Sequence, residues 1–246
     1  MTSQRDDRES FDVLVLGSSG RVGRAVLAEF DTNVTIHTIG RYSTIDHDRF
    51  DAELVAALGN VDVILNLAGV AHLDSTPSTA DLDRLTAANV AMPLLLARRC
   101  LESRVPMIHV SSSKADDATT PYGWSKAMCD ATLDTSFGPA FASAGLPLVI
   151  LKPPALLIGP FDAGKLRTLR WIDRVPKRLL PQRTMPVLSS ERFVNEVEYW
   201  VQHCAQPAAV TFPTVGVHTV RWIGDDLDGL HAIHDAMSDT RKNRRR

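Results

Sequence analysis

The stretch "FDVLVLGSSGRVGRAVLAEF", Phe11 to Phe30, sets a short apolar run against three glycines, Gly17, Gly20 and Gly23, and then against a helical pattern. Asp12 to Leu16 reads as a buried strand. From Arg21 to Phe30 the apolar residues Val22, Ala25, Val26 and Phe30 recur at helical spacing. A strand that turns through glycines into a helix can cradle a pyrophosphate. The glycines permit the tight turn and let the backbone come close to the phosphates. The helix start offers unpaired N–H groups and the positive end of its dipole. A strand–helix turn with no ligand also uses glycine, so the three glycines gain meaning only from the rest of the chain.

Working outward, apolar runs and helical patterns alternate. "NVTIHTIG" (33–40) reads as a second strand, "FDAELVAAL" (50–58) as a short helix and "VDVILNLAG" (61–69) as a third strand. A long helix follows over 79–104, then a strand in "PMIHVSSS" (106–113), a helix over 122–137 and a strand in "LPLVILKPP" (146–154). This alternation predicts an α/β fold, a Rossmann-type doubly wound parallel sheet with helices on both faces. We place the dinucleotide-binding domain at 11–152. Residues 153–238 form a small, abbreviated substrate lobe interleaved with the last sheet elements, including a returning helix in "FVNEVEYWVQHCA" and a late strand in "AAVTFPTVG". Residues 1–10 and the basic tail 239–246 read as disordered.

Composition narrows the classes. The 246 residues are 44% hydrophobic and 23% charged, ordinary for a globular protein. With 27 basic and 29 acidic residues the net charge is -2, which gives no reason to expect a nucleic-acid partner. Cys100, Cys129 and Cys204 are far apart and form neither a disulfide framework nor a zinc pattern. His231 and His234 have no third ligand in view, so no metal is expected. The N-terminus lacks an apolar signal core, and no run is long enough to span a membrane. A cytoplasmic protein is the expectation.

A GxxGxxG turn followed by "YGWSK" (Tyr122 and Lys126) resembles the short-chain dehydrogenase/reductases. Further stretches resemble the extended branch, the NAD(P)-dependent nucleotide-sugar epimerase/dehydratase family: "NLAGVAH", "ANVAMPLLLARRC", "RVPMIHVSSSK", "LKPPALLIGP" and, loosely, "PVLSSERFVNEV". Within it the chain is most similar to UDP-sugar 4-epimerases and 4-keto reductases. The resemblance implies a bound NAD(P) held by Gly17, Ser19, Gly20, Arg21, Val22, Gly23, Leu67, Ala68, Gly69, Tyr122 and Lys126. It implies a small-molecule substrate, a nucleotide sugar. It implies that Asn89 steadies the active-site backbone, and a possible homodimer through the helices near 80–104 and 122–142.

The chemistry can also be argued from residue types. Hydride transfer at a carbinol or ketone carbon needs a group that takes or gives the oxygen's proton. Tyr122 can serve if its phenol ionises more readily than usual. Lys126, four residues on, shares its helical face and would favour the phenolate. A serine hydroxyl beside the tyrosine would orient the substrate oxygen; both Ser112 and Ser113 fit, while Ser111 reads as part of the strand. At the end of the second strand Arg41 stands where an acidic residue would mark NAD. Arginine can pair with a 2′-phosphate, so NADP is favoured. His72, Lys165, Arg167 and Arg183 are further contacts to consider for a substrate. The chain departs from the extended pattern in having Tyr122 only nine positions after Ser113, with "ADD" (115–117) between, and in ending soon after the late strand. Those losses keep two other readings open: a dinucleotide-binding sensor or scaffold, and a reductase of a smaller, non-sugar carbonyl.

Overall fold

The computed structural model describes residues 10–30, 33–39, 47–71, 77–157, 187–205 and 216–221. Arg41, His72, Lys165, Arg167, Arg183, His231 and His234 lie outside them. Six strands form one wholly parallel sheet in the order β2-β1-β3-β4-β5-β8: β1 Phe11–Leu16, β2 Val34–His37, β3 Val63–Asn66, β4 Met107–Val110, β5 Pro147–Lys152 and β8 Gly216–Arg221. The expected Rossmann-type doubly wound sheet is therefore present. A short parallel pair, β6 Ala155–Leu157 and β7 Val187–Ser189, stands apart from it. The chain moves from β1 outward to β2, then returns to the other side of β1 for β3. That reversal opens a crevice at the strands' C-terminal ends, where ligands of such sheets bind.

The helices are α1 Arg21–Glu29, α2 His47–Leu58, α3 Thr79–Thr86, α4 Met92–Ser103, α5 Lys114–Asp117, α6 Pro121–Thr132, α7 Gly138–Ala144 and α8 Ser190–Ala205. Strand residues alternate between two cores. Leu14, Leu16, Ile64, Met107, Leu148 and Ile150 face α2, α4, α6 and α7. Val13, Val15, Val63, Leu65, Ile108, Val149 and Leu151 face α1 and α8. Burial on both faces is why these strands read as unbroken apolar runs.

The long helix expected over 79–104 is two α-helices joined by a π turn, Ala87–Ala91, and the helix of 122–137 likewise passes through a π turn, Leu133–Phe137, and continues as α7. In both, the last widened bond is donated by the residue just before a proline, Met92 to the Ala87 carbonyl and Gly138 to the Leu133 carbonyl. Pro93 and Pro139 lack an N–H, and each ring would clash with the carbonyl four residues back. One wider turn relieves the clash without ending the helix. The last strand begins at Gly216, at the edge of the expected "AAVTFPTVG"; residues 208–215 lie outside the described residues. Among the described residues no helix is long and apolar enough to cross a membrane.

Candidate functional site

The glycine turn is built as its spacing suggested. Gly17 has φ +79°, and a Cβ there would lie 2.6 Å from the Ala68 backbone nitrogen. Gly23 sits inside α1, where a Cβ would lie 2.2 Å from the Gly17 carbonyl oxygen. Both positions therefore demand glycine for the protein's own packing. Gly20 differs: the nearest atom to a Cβ is the Gly17 oxygen at 3.1 Å, a tight but adjustable contact. Gly20 caps α1 without any side-chain hydrogen bond, and the first turn carries no acidic residue. The helix start at Arg21, Val22 and Gly23 thus meets no capping side chain, and its N–H groups remain for an anion. Ser19 contributes a carbonyl that accepts from the Arg24 guanidinium. These residues fit a dinucleotide's phosphates.

From the turn the contacts run in one direct series. Leu67 N–H donates to the Leu16 carbonyl at 2.9 Å, which keeps β3 beside β1 past its formal end. Ala68 lies against Gly17. Gly69 is next, and a Cβ there would lie 3.1 Å from Asn89 Oδ1 and 3.5 Å from Lys126 Nζ. Asn89, fully buried in the first π turn, clamps both backbone groups of Val70: its Oδ1 accepts from Val70 N–H at 2.8 Å and its Nδ2 donates to the Val70 carbonyl at 2.9 Å. Nδ2 also reaches Ser125 Oγ at 3.0 Å. The loop after β3 is thus locked to α6.

Thr120 starts α6, its hydroxyl accepting from Gly123 N–H at 3.1 Å, and Pro121 takes the first position. A Cβ on Gly123 would lie 2.5 Å from the Lys114 carbonyl, so this glycine lets α5 press against the start of α6. That contact brings the serine run to Tyr122. Of the two candidate serines, Ser112 is the one that pulls the Tyr122 phenol downward, against the effect of burial. Ser113 instead spends its backbone N–H on the Pro153 carbonyl at 2.9 Å. Ser111 lies just past β4 but extends the ladder, donating its N–H to the Leu151 carbonyl at 2.7 Å, and its hydroxyl turns to Asp130.

Tyr122 departs from the expectation. Burial pushes its phenol above the usual value, the Ser112 hydrogen bond opposes this, and the Asp130 charge adds to the rise. The Lys126 ammonium is buried, donates to the Val110 carbonyl at 3.0 Å, and is pulled below its usual value by burial, with Cys129 and Asp130 opposing. The reason is desolvation: a half-buried phenol beside a hydroxyl keeps its proton.

A polar rim beneath these residues was missed from the sequence. Asn66, His109, Ser111 and Lys152 occupy the C-terminal ends of β3, β4 and β5 or the position just beyond, on the face toward α6. Asn66 and His109 are register partners. Ala68 N–H donates to Asn66 Oδ1, so Asn66 Nδ2 faces His109 Nδ1 at 3.0 Å. His109 then carries its proton on Nε2, 3.8 Å from Cys129 Sγ. Burial, then Lys126, holds His109 well below the ordinary histidine value, so it is neutral; burial pushes the Cys129 thiol up to about 12. Lys152, 8% exposed, pairs with Asp130, 10% exposed, at 3.1 Å and with Asp116 at 2.7 Å. Removing one partner of such a buried pair typically costs about 3–5 kcal/mol. A signal was present: each of three apolar runs, "VILN", "MIHV" and "LVILK", carries one polar residue at or near its end.

Residues 11–132 match the RmlD substrate binding domain family. The RmlD match runs from β1 through α6, so the glycine turn, Gly69, Asn89, Ser112, Tyr122, Lys126 and Asp130 all fall within it, while β5, α8 and β8 lie beyond. No curated protein sequence matches the chain. Solved structures share its fold. A dTDP-4-dehydrorhamnose reductase from Bacillus anthracis in complex with NADP aligns with TM-score 0.61 at 10% identity, covering 97% of this chain and 83% of that one. A dTDP-4-dehydrorhamnose reductase from Clostridium acetobutylicum gives 0.60 at 14%, covering 91% and 79%. A short-chain dehydrogenase/reductase from Serratia marcescens gives 0.60 at 16%, covering 86% and 96%.

Proposed function

We propose that the chain is a cytoplasmic NAD(P)-dependent reductase, NADP-preferring, acting on the keto group of a nucleotide sugar. The carrying observation is the continuous contact from the Gly17 turn through Ala68 and Gly69 to Lys126, one helical turn from Tyr122 on α6. The RmlD match and the NADP bound in the Bacillus anthracis relative support the class and the cofactor. Gly17, Ser19, Gly20, Arg21, Val22 and Gly23 would hold the pyrophosphate, with Leu67, Ala68 and Gly69 beside the ring-bearing half and Lys126 at its ribose. The bound cofactor supplies the hydride. Ser112 orients the carbonyl oxygen, and the Tyr122 hydroxyl gives it a proton. A neutral phenol is the donor form for that step.

A smaller, non-sugar carbonyl is the second reading. Residues 114–117 fold as one helical turn pressed onto α6, so the passage from Ser113 to Tyr122 adds no long loop to enclose a sugar.

The test is NADPH oxidation with 4-keto nucleotide sugars and simple ketones. Tyr122→Phe should keep the fold and cofactor affinity while turnover falls by about 10²-fold or more. Turnover at the wild-type rate would overturn the mechanism. If the dinucleotide binds tightly and no carbonyl reacts, the sensor reading gains. Arg41→Ala should weaken NADPH roughly tenfold more than NADH, since a charge-assisted hydrogen bond contributes about 1.5–3 kcal/mol; equal losses would remove the NADP preference.

A further inference from the structure

We propose that Ser125 is a positioning residue: with Asn89 it forms a hydrogen-bonded link that sets the Gly69–Val70 backbone, on the cofactor side, against the backbone of Tyr122. The inference rests on the reading of Tyr122 as the proton donor and names a residue that places it.

Ser125 lies three positions after Tyr122 and one before Lys126 on α6, and it is 1% exposed. Its hydroxyl donates to the Tyr122 carbonyl at 2.8 Å. A serine inside a helix often bonds back to a carbonyl one turn earlier, and such a bond concerns its own helix only. Ser125 does more. Its oxygen also accepts from Asn89 Nδ2 at 3.0 Å, and Asn89 belongs to the π turn 36 positions earlier.

The direction of every bond in this link is fixed. Val70 N–H can only donate, so Asn89 must turn Oδ1 toward it, at 2.8 Å. Nδ2 is thereby aimed at the Val70 carbonyl, at 2.9 Å, and at Ser125, which uses both of its protons. A serine hydroxyl has one proton. Once that proton is given to Tyr122, only lone pairs remain for Asn89. Turning the Asn89 amide over would set donor against donor at Val70 N–H and acceptor against acceptor at its carbonyl. Asn89 is fully buried, so bulk water offers these groups no other partner. A buried network whose members are all satisfied in one direction is rigid.

Glycine permits the close approach. A Cβ on Gly69 would lie 3.1 Å from Asn89 Oδ1 and 3.5 Å from Lys126 Nζ. The adjacent residues Ser125 and Lys126 therefore bear on one stretch of backbone, the first through Asn89 and the second by lying against it. In the proposed reaction the hydride comes from beside Leu67–Gly69 and the proton from Tyr122, to adjacent atoms of one carbonyl. A misplacement of about 1 Å between such groups can cost on the order of 10²-fold in rate.

The test begins with amide exchange at Val70 in full-length ¹⁵N-labelled protein with no ligand added. In this link Ser125 reaches Val70 only through Asn89. Ser125→Ala should speed exchange at Val70 by about threefold or more, relative to amides that exchange by global unfolding. Adding Ser125→Ala to Asn89→Ala should change the rate no further, since the link is already cut. An unchanged rate in Ser125→Ala overturns the proposal. So does a further acceleration in the double variant, which is what two independent effects would produce. If Ser125→Ala does not fold, Ser125→Cys, a weaker donor and acceptor, is read in its place. If Asn89→Ala does not fold, the single Ser125 variant decides. With NADPH and a carbonyl that the wild type reduces, Ser125→Ala should lower kcat by about fivefold or more while KM and NADPH affinity stay within about twofold. Ser125→Thr, which keeps the hydroxyl, should recover most of the loss. A wild-type kcat in Ser125→Ala, or a folded Ser125→Thr no better than Ser125→Ala, overturns the positioning role. Faster Val70 exchange in Ser125→Ala with no turnover by the wild type would sink the reductase and leave the link standing. Unchanged exchange with Tyr122-dependent turnover would do the reverse.

Discussion

At the scale of single residues, the three glycines of the first turn do three different things. Gly17 and Gly23 are required by the fold, so Gly17→Ala and Gly23→Ala should each destabilise by about 2 kcal/mol or more, the first through a left-handed φ and a backbone clash, the second through a clash alone. Urea unfolding measures this. Gly20→Ala should cost less than about 1 kcal/mol, since only one contact must give. Gly20→Asp should fold yet lose dinucleotide binding, because a carboxylate would meet the phosphates at an uncapped helix start. Retained nucleotide affinity in folded Gly20→Asp would remove the phosphate reading. The spacing in the sequence marked all three positions; it could not separate Gly20, kept open on the ligand side, from the two that the packing itself demands.

At the scale of elements, the π turn of Ala87–Ala91 ties the helical layer to the loop after β3. Asn89 leaves this turn to satisfy both backbone groups of Val70, which no strand partner among the described residues reaches. Asn89→Ala should strand those groups, at a cost of about 2–3 kcal/mol, while the Ser125 hydroxyl keeps its bond to the Tyr122 carbonyl. It should also loosen the Gly69–Val70 backbone, read as faster amide exchange at Val70 than global unfolding explains. Exchange at the global rate would show that the clamp holds nothing locally. The resemblance of "ANVAMPLLLARRC" pointed to Asn89's role, and its partner atoms came only from the structure. The π turns themselves were legible in principle: a proline inside an otherwise unbroken helical pattern must end, kink or widen the helix. Which of the three occurs depends on what the helix packs against.

At the scale of the whole molecule, acid should act through the buried rim. Neutral His109 has a value depressed well below that of the unfolded chain. The unfolded state therefore binds the extra proton first as pH falls. The stability His109 contributes is complete above its unfolded value of about 6.5 and declines below it, by on the order of 1.4 kcal/mol per pH unit until the folded value is reached. Unfolding free energies at about pH 7 and about pH 5 should differ by less in His109→Gln than in wild type. An equal loss in both would show that other groups set the acid limb. The same rim links β3, β4, β5 and α6, so its loss should lower the unfolding midpoint of the molecule as one transition.

What the sequence determined by itself is whatever is encoded locally. Apolar runs alternating with helical periodicity specify the parallel sheet, because strands buried on both faces and helices buried on one leave distinct patterns over a few residues. The glycine spacing, and Tyr122 and Lys126 four apart on a helix, are local in the same sense. What the tertiary structure decided is whatever depends on residues far apart in the chain meeting in a dry place. The turn after the serine run presses against the start of α6 because Gly123 admits the Lys114 carbonyl. The Tyr122 phenol is pushed above its usual value because the fold buries it. Asn66 meets His109, and Asp130 meets Lys152, only when three strand ends come under one helix. Desolvation and charge interaction have no sequence period; they arise from the fold that the periodic signals specify.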